Sequence, residues 1–187
     1  MIILFGLAGS GKGTQGEALS KLFGWRWLSV GQAIRDDGGY STTIDKGNLI
    51  PDDDVIKLMD KQIKKAEDEG LDVILDGYPR TKAQAEYMVE HMADKLKGAI
   101  ILEVPKEELY QRLALRGRND DQERASIDRR FKLFEQNICS ILPLLESKNI
   151  PIERVDGTGE ISEVTSRLVA VVKKFNPNAK IREDYGA

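Results

Sequence analysis

Cysteine is nearly absent from this chain, since Cys139 is the only one among 187 residues. A single thiol excludes an internal disulfide and a cysteine cage for zinc, and it is compatible with a reducing cytosol. Cys139 lies between Ile138 and the run Ser140-Ile141-Leu142. We therefore interpret it as a small hydrophobic core residue.

Long apolar runs and an excess of either charge are also missing. No apolar stretch approaches the roughly 18 residues that a membrane span needs. The apolar run at Met1 has no basic leader and passes directly into a glycine-rich loop, which argues against a secretory signal. There are 28 basic and 31 acidic side chains, a net charge of −3, which gives no general attraction to nucleic acid. We expect a cytoplasmic protein with no membrane or nucleic-acid partner.

What the sequence does contain is an alternation of short apolar runs with helical patterns. Continuous runs favour strands buried on both faces of a parallel sheet. The predicted strands are Met1–Phe5, Val73–Leu75, Ala99–Leu102 and Ile152–Val155. The predicted helices are Lys12–Phe23, a segment from Pro51 to Gly70, Gln84–Lys95, Lys106–Leu115, Gln122–Leu145 with an interruption or end near Pro143, and Ser162–Phe175. This order predicts one doubly wound α/β domain.

A glycine loop, Gly6–Thr14, joins the first strand to the first helix. Its glycines permit turns that direct successive backbone N–H groups at one anion, and the helix N-terminus adds the positive end of its dipole. Lys12 completes the GxxxxGK spacing, and Thr14 supplies a hydroxyl one place later than the general pattern. The loop therefore predicts nucleotide binding, and a glycine-rich surface turn is the alternative.

A carboxylate and an arginine follow the second apolar run, as Asp76 and Arg80. Residues after parallel strands meet at the carboxyl edge of the sheet, where ligands bind. Mg²⁺ needs few carboxylates beside phosphate oxygens and water, so Asp76 could hold it. A helix cap or turn is the alternative role for Asp76, and a solvated surface charge is the alternative for Arg80.

Six of the twelve arginines of the chain fall within 19 residues. They are Arg112, Arg116, Arg118, Arg124, Arg129 and Arg130. Like charges at helical spacing repel one another unless an anion joins them, and guanidinium groups bind phosphate oxygens in pairs. The alternative is a salt-bridge network with Asp120, Asp121, Glu123 and Asp128. We expect both to hold in part, with Arg124 and Arg130 as the structural members.

The chain resembles a nucleoside monophosphate kinase of the adenylate kinase family over almost its whole length. Five motifs carry the resemblance, namely GLAGSGKGTQ at 6–15, LSVGQAIR at 28–35, GNLIPDDDVI at 47–56, DGYPRTKAQAE at 76–86 and RLALRGRNDD at 112–121. Five motifs in the same order as in the family are a more specific signal than a phosphate loop alone. The resemblance implies ATP as donor, a nucleoside monophosphate as acceptor, Mg²⁺ as cofactor and a monomer.

The resemblance also implies roles for individual residues. ATP would contact Gly9, Ser10, Gly11, Lys12, Gly13, Thr14, Arg112 and Arg116. The acceptor would contact Val30, Gly31, Arg35, Leu49, Ile50, Gly77, Arg80, Gln84, Arg118 and Arg129. The residues at the transferred phosphoryl group would be Lys12, Arg80, Arg116, Arg118 and Arg129. Asp76, through water, and Thr14 would hold the metal.

The same resemblance implies a P-loop fold of three layers, a parallel sheet with helices on both faces. Its core would comprise residues 1–29, 60–115 and 122–175. A small helical acceptor-binding region would cover 30–59, a minimal lid 116–121 and a surface tail 176–187. A monophosphate is mostly dianionic at neutral pH, since its second pKa is about 6. Catalysis therefore needs alignment and charge neutralisation rather than a general base, and His91, in a polar stretch, is interpreted as a solvated helix residue.

Departures from the family pattern leave the acceptor base open. Val30 replaces a threonine that adenylate kinases use at the acceptor pocket, Gln32 replaces an aspartate and Ala8 a proline. A small apolar residue at position 30 is typical of relatives that prefer UMP or CMP. Gln84 favours AMP, because an amide can accept from the adenine amino group and donate to a ring nitrogen. Only Gly117 separates Arg116 from Arg118, so the lid is shorter than in relatives.

Two other classes of nucleotide-binding protein are alternatives to a kinase. A nucleotide-driven switch would carry an NKxD-type base-reading motif, which the sequence lacks. A catalytically silent nucleotide sensor would keep the phosphate loop but would have no need of Arg35 and Arg80. The sequence therefore favours phosphoryl transfer to AMP, with UMP or CMP as the alternative acceptor.

Overall fold

Five parallel strands form the centre of the molecule in the order β2-β3-β1-β4-β5. The computed structural model describes residues 1–37, 50–118 and 121–183. The strands are β1 (Ile2–Gly6), β2 (Arg26–Ser29), β3 (Val73–Asp76), β4 (Gly98–Glu103) and β5 (Ile152–Asp156). Successive parallel strands are joined by helices, as their crossovers require.

The described residues form seven α-helices in two layers, one on each face of the sheet. They are α1 (Lys12–Phe23), α2 (Val30–Asp37), α3 (Asp52–Asp68), α4 (Lys82–His91), α5 (Lys106–Arg116), α6 (Arg124–Glu146) and α7 (Ile161–Phe175). On one face, Ile2 and Leu4 pack with Leu19 of α1 and Leu168 of α7. On the other, Ile3 and Phe5 pack against α3, α4 and α6. The predicted α/β fold with a helix-covered parallel sheet is confirmed.

One strand escaped prediction from the sequence. β2 pairs only with β3 and therefore forms an edge of the sheet. Its sequence, Arg-Trp-Leu-Ser, contains no continuous apolar run, and Arg26 is exposed and paired with Glu69. An edge strand that needs less burial gives a weak apolar signal.

One of two local expectations on α6 was wrong. Cys139 is exposed rather than part of the core, because it lies on the face of α6 opposite the buried residues and its Sγ reaches the carbonyl of Glu135. The helix end predicted near Pro143 agrees with the structure, since α6 ends at Glu146, one turn after that residue. Proline has no N–H to donate to the carbonyl four residues back, so it removes one helical hydrogen bond and disfavours further extension of the helix.

The start of the C-terminal tail packs on the body of the protein. The backbone N–H of Arg182 donates to the carbonyl of Leu22 at 2.8 Å, at the end of α1. Ala179 packs against the cluster beneath α1 and α7. In the described residues no helix combines the length and apolar character needed to cross a membrane.

Candidate functional site

A cavity of about 760 Å³ opens at the carboxyl edge of the sheet. The register places Leu4 beside Asp76 and Ser29 beside Asp76, so the loops after β1, β2 and β3 meet there. Seventeen of the predicted site residues line it, namely Gly9, Ser10, Gly11, Lys12, Gly13, Thr14, Val30, Gly31, Arg35, Ile50, Asp76, Gly77, Arg80, Gln84, Arg112, Arg116 and Arg118. Leu49 lies outside the described residues, as does part of the predicted lid.

The phosphate loop wraps around its own lysine. Gly9 and Gly11 have φ angles of 86° and 94°, in the left-handed region that favours glycine. The Lys12 ammonium donates to the carbonyls of Gly6 at 2.7 Å and Leu7 at 2.9 Å. Gly11 is also the N-cap of α1 and offers no side-chain cap. The N-terminal N–H groups of α1 thus face the cavity, in the arrangement that binds phosphate.

Several charges converge on Lys12. The pKa of the Lys12 ammonium is lowered to about 8, mainly by burial; the Asp76 carboxylate opposes this shift, and the guanidinium groups of Arg80, Arg116 and Arg130 add to it. A positive charge in this position is therefore poorly compensated by the protein itself. An anion in the cavity would relieve that imbalance.

Asp121 holds two arginines at the cavity. Arg116 donates to it through Nε at 2.6 Å and Nη2 at 2.8 Å, and Arg130 donates through Nη2 at 2.7 Å. The Asp121 side chain is only 2 % exposed. Burial by itself would raise the pKa of Asp121, but the hydrogen bonds from both arginines outweigh it and the pKa lies below its usual value. The salt-bridge and ligand interpretations of these arginines are thus compatible, since one carboxylate fixes both guanidinium groups beside the phosphate loop.

The structure separates Arg129 from Arg130. Among the described residues, Arg130 lines the cavity and Arg129 does not. Arg130 begins a stripe along α6 that continues through Leu133, Phe134, Asn137, Ile138 and Ile141. This spacing of three and four residues is that of one helix face. From the sequence, Arg129 was expected at the acceptor and Arg130 in a structural role; the helical phase of this stripe is the signal that distinguishes the two.

Arg124 is held away from this face of α6. Its guanidinium lies 3.1 Å from the centroid of the Tyr110 ring, and it is 3.4 Å from Asp128. This geometry agrees with the structural role expected for Arg124.

A second cationic site lies on the β2 and β3 side of the cavity. A Cβ atom placed on Gly31 would lie 3.3 Å from Nη2 of Arg80 and 3.5 Å from Nη1 of Arg35. Arg80 is fixed by a hydrogen bond from its Nε to the carbonyl of Gly77 at 2.9 Å. Two guanidinium groups that approach one glycine form a site suited to a phosphate dianion.

The opposite end of the cavity has the features of a pocket for a planar base. Arg112 donates to the carbonyl of Gly157 at 3.0 Å and lies beside Gly11 of the phosphate loop. Gly159 and the exposed Ile161 complete this wall. Arg112 was expected here from the sequence, whereas the loop after β5 was not, although its position at the carboxyl end of a strand is a usable signal.

Asp76 and Thr14, the two residues expected to hold Mg²⁺, both line the cavity. Asp76 lines the cavity, and its Oδ2 lies 3.8 Å from the point where a Cβ on Gly13 would be. No cluster of three or more His, Cys, Asp or Glu residues suited to a metal occurs in the described parts of the chain. One carboxylate and the Thr14 hydroxyl fit an ion that shares most of its ligands with a nucleotide and water.

The chain is similar to known proteins over most of its length. Residues 4–150 match the family model described as adenylate kinase. A relative from Porphyromonas gingivalis named adenylate kinase is 34 % identical, over 93 % of this chain and 96 % of its own length. Relatives of the same name from Thermus thermophilus and Micrococcus luteus are 32 % and 35 % identical, each over 91 % of this chain and over 96 % and 89 % of their own lengths.

Proposed function

This chain belongs to the adenylate kinase family and is a nucleoside monophosphate kinase; we propose that the cavity residues transfer the terminal phosphoryl group of ATP to AMP. The observation that carries this assignment of residues is the presence of two cationic sites in one cavity. Lys12 occupies one, and the Arg35 and Arg80 pair forms the other. Arg116 and Arg130, held by Asp121, complete the charge around the phosphate loop.

The geometry suits direct transfer between two anions. An oxygen of the acceptor phosphate attacks the terminal phosphorus of ATP, the bond to the bridging oxygen breaks, and ADP forms on both sides. The acceptor is a dianion at neutral pH, so no proton has to be removed from it. Positive groups fixed in advance lower the repulsion between the two nucleotides and stabilise the charge of the moving group.

Mg²⁺ fits the same scheme as a partner of the donor nucleotide. Adenylate kinases in general use Mg²⁺ with ATP, and we propose Asp76 and Thr14 as the residues that hold it here. When bound, the ion neutralises phosphate charge. Asp76 contributes a buried carboxylate at the cavity wall and also stabilises the charged form of Lys12.

Gln84 supports AMP as the acceptor. Its side chain lines the cavity, as Val30 and Ile50 also do, and its amide offers both a donor and an acceptor to a purine edge. Val30 is fully buried and apolar, the one observation that favours a pyrimidine acceptor. The contacts of Leu49 and Arg129, the monomeric state and the cytoplasmic location stay predictions.

An acceptor panel tests this function. ADP formation from ATP should be measured with AMP, CMP, UMP, GMP and dTMP, and we expect the highest kcat/KM with AMP. The Lys12→Ala variant, purified in the same way, is the blank for contaminating kinases. A clear preference for UMP or CMP would identify a pyrimidine nucleotide kinase with the same transfer site and would refute AMP as the main acceptor.

A further inference from the structure

The side chain of Gln84 is held from both ends. It is only 1 % exposed. Its Oε1 accepts from the backbone N–H of Arg80 at 2.7 Å, and its Nε2 donates to Oδ1 of Asp52 at 2.8 Å. A backbone N–H can only donate and an ionised carboxylate can only accept. The two partners therefore fix which end of the amide carries oxygen and which carries nitrogen.

This orientation leaves two functional groups of the amide for a ligand. The carbonyl oxygen retains a second lone pair, and the nitrogen retains a second N–H. A flipped amide would place its NH₂ against the Arg80 N–H and its oxygen against the Asp52 carboxylate. Both contacts would be repulsive, so the acceptor site presents one fixed pattern of donor and acceptor.

Asp52 is itself held in place. It is the first residue of α3, and its Oδ1 accepts from Oγ1 of Thr81 at 2.7 Å. Thr81 is the N-cap of α4, and its side chain accepts from the backbone N–H of Gln84. The carboxylate thus joins the start of the helix after Ile50 to the start of the helix that carries Gln84. Both elements line the acceptor side of the cavity.

The negative charge of Asp52 also stabilises the N-terminus of α3. Acidic residues near a helix N-terminus stabilise the helix through its dipole. Asp53 and Asp54 lie in the same first turn of α3, and Asp53 is exposed. Asp53 therefore supplies a matched comparison, because its removal changes the helix charge equally and leaves the bond between Asp52 and Gln84 intact.

We propose that Asp52 is a positioning residue for acceptor choice, and that it orients the Gln84 amide to select a purine with an amino group at position 6. The proposal rests on AMP being the acceptor. Adenine offers an amino donor beside a ring-nitrogen acceptor, which complements the second lone pair and the second N–H of the Gln84 amide. A 6-oxo purine offers the reverse pattern, and a purine without a 6-substituent lacks the donor.

The test compares Asp52→Ala with Asp53→Ala. For wild type and both variants, kcat/KM is measured with AMP and with purine ribonucleoside 5′-monophosphate, which lacks the amino group. Loss of one well-oriented hydrogen bond corresponds to about a tenfold difference, so we expect wild type to prefer AMP by about that factor. In Asp52→Ala this ratio should fall about fivefold, through a higher KM for AMP with the KM for ATP unchanged, and in Asp53→Ala it should stay as in wild type.

A purely structural role gives a different result. If Asp52→Ala lowers kcat/KM for both acceptors by the same factor, or if Asp53→Ala changes the ratio equally, the proposal is overturned. Asp52→Asn keeps the shape of the side chain and replaces a charged acceptor by a weaker neutral one. Asp52→Asn replaces Asp52→Ala in the test if the alanine variant does not fold. We then expect the ratio of kcat/KM for AMP to that for the analogue to fall about twofold.

Failure of this proposal can be told apart from failure of the proposed function. A wild-type enzyme that prefers UMP or CMP in the acceptor panel contradicts both. A wild-type enzyme that prefers AMP over the analogue, together with an unchanged ratio in Asp52→Ala and Asp52→Asn, contradicts only the role of Asp52.

Discussion

Lys12→Ala should reduce phosphoryl transfer by about three orders of magnitude, because a single preorganised charge on the transferring group is worth that much. In the structure the Lys12 ammonium lies within the phosphate loop and is surrounded by Arg80, Arg116 and Arg130. With no nucleotide present, these positive groups repel one another. The negative charge of the ATP phosphates offsets this repulsion, which favours ATP binding. We expect kcat/KM for ATP to fall, with the AMP concentration held at saturation.

The folded structure should survive this substitution. The pKa of Lys12 is lowered by burial, so its charged form is less favourable in the folded than in the unfolded protein at neutral pH. Its removal should leave the midpoint of thermal unfolding unchanged or raise it. Lys82→Ala is the control, because Lys82 is exposed and its ion pair is with Glu86, one helical turn away on the same helix. A Lys12→Ala variant within tenfold of wild-type activity would contradict the role assigned to the phosphate loop.

Arg130→Ala should reduce transfer by about 10²- to 10³-fold, and Arg129→Ala by much less. Arg130 lies in the cavity and is fixed by Asp121, whereas Arg129 does not line the cavity in the described structure. The loss should appear in kcat more than in KM, since the guanidinium group acts on charge that develops during transfer. Initial rates of ADP formation for the two variants, measured side by side, check this.

Arg129→Ala and Arg130→Ala each remove one positive charge from α6. Side effects of the charge loss on the helix are therefore largely the same in both variants. Arg130→Lys keeps the charge but loses the planar fork, so we expect a smaller loss of about tenfold. Thermal unfolding separates loss of activity from loss of structure. A larger defect in Arg129→Ala than in Arg130→Ala would restore the assignment made from the sequence motif and reject the one made from the helix phase.

Much of the fold could be predicted from the sequence because its signals are local. β1 and β3 are short continuous apolar runs, and the phosphate loop carries its chemistry in nine consecutive residues, Gly6–Thr14. β2 could not be found in this way. Its Arg26 and Trp27 alternate between solvent and the helix layer, so the run looks polar, and only pairing with β3 makes it a strand.

The site required information that spacing does not contain. The position of Arg130 rather than Arg129 depends on the rotation of α6, which is set by the packing of Ile127 and Phe131. Gln84 and Asp52, which are hydrogen-bonded to each other, are 32 residues apart in sequence. A motif locates such residues one at a time, and only the folded chain shows which carboxylate fixes which amide or guanidinium group.

A crystal structure with a bisubstrate mimic, two adenosines joined by a chain of phosphates, tests the central claim most directly. We expect one molecule per chain, with one base between Arg112 and Ile161, the phosphates within hydrogen-bond distance, about 3.2 Å or less, of Lys12, Arg80, Arg116 and Arg130, and the other base at Gln84. A structure in which the mimic lies elsewhere, or in which these guanidinium groups point to bulk solvent, would contradict the claim that this cavity holds two nucleotides for direct transfer.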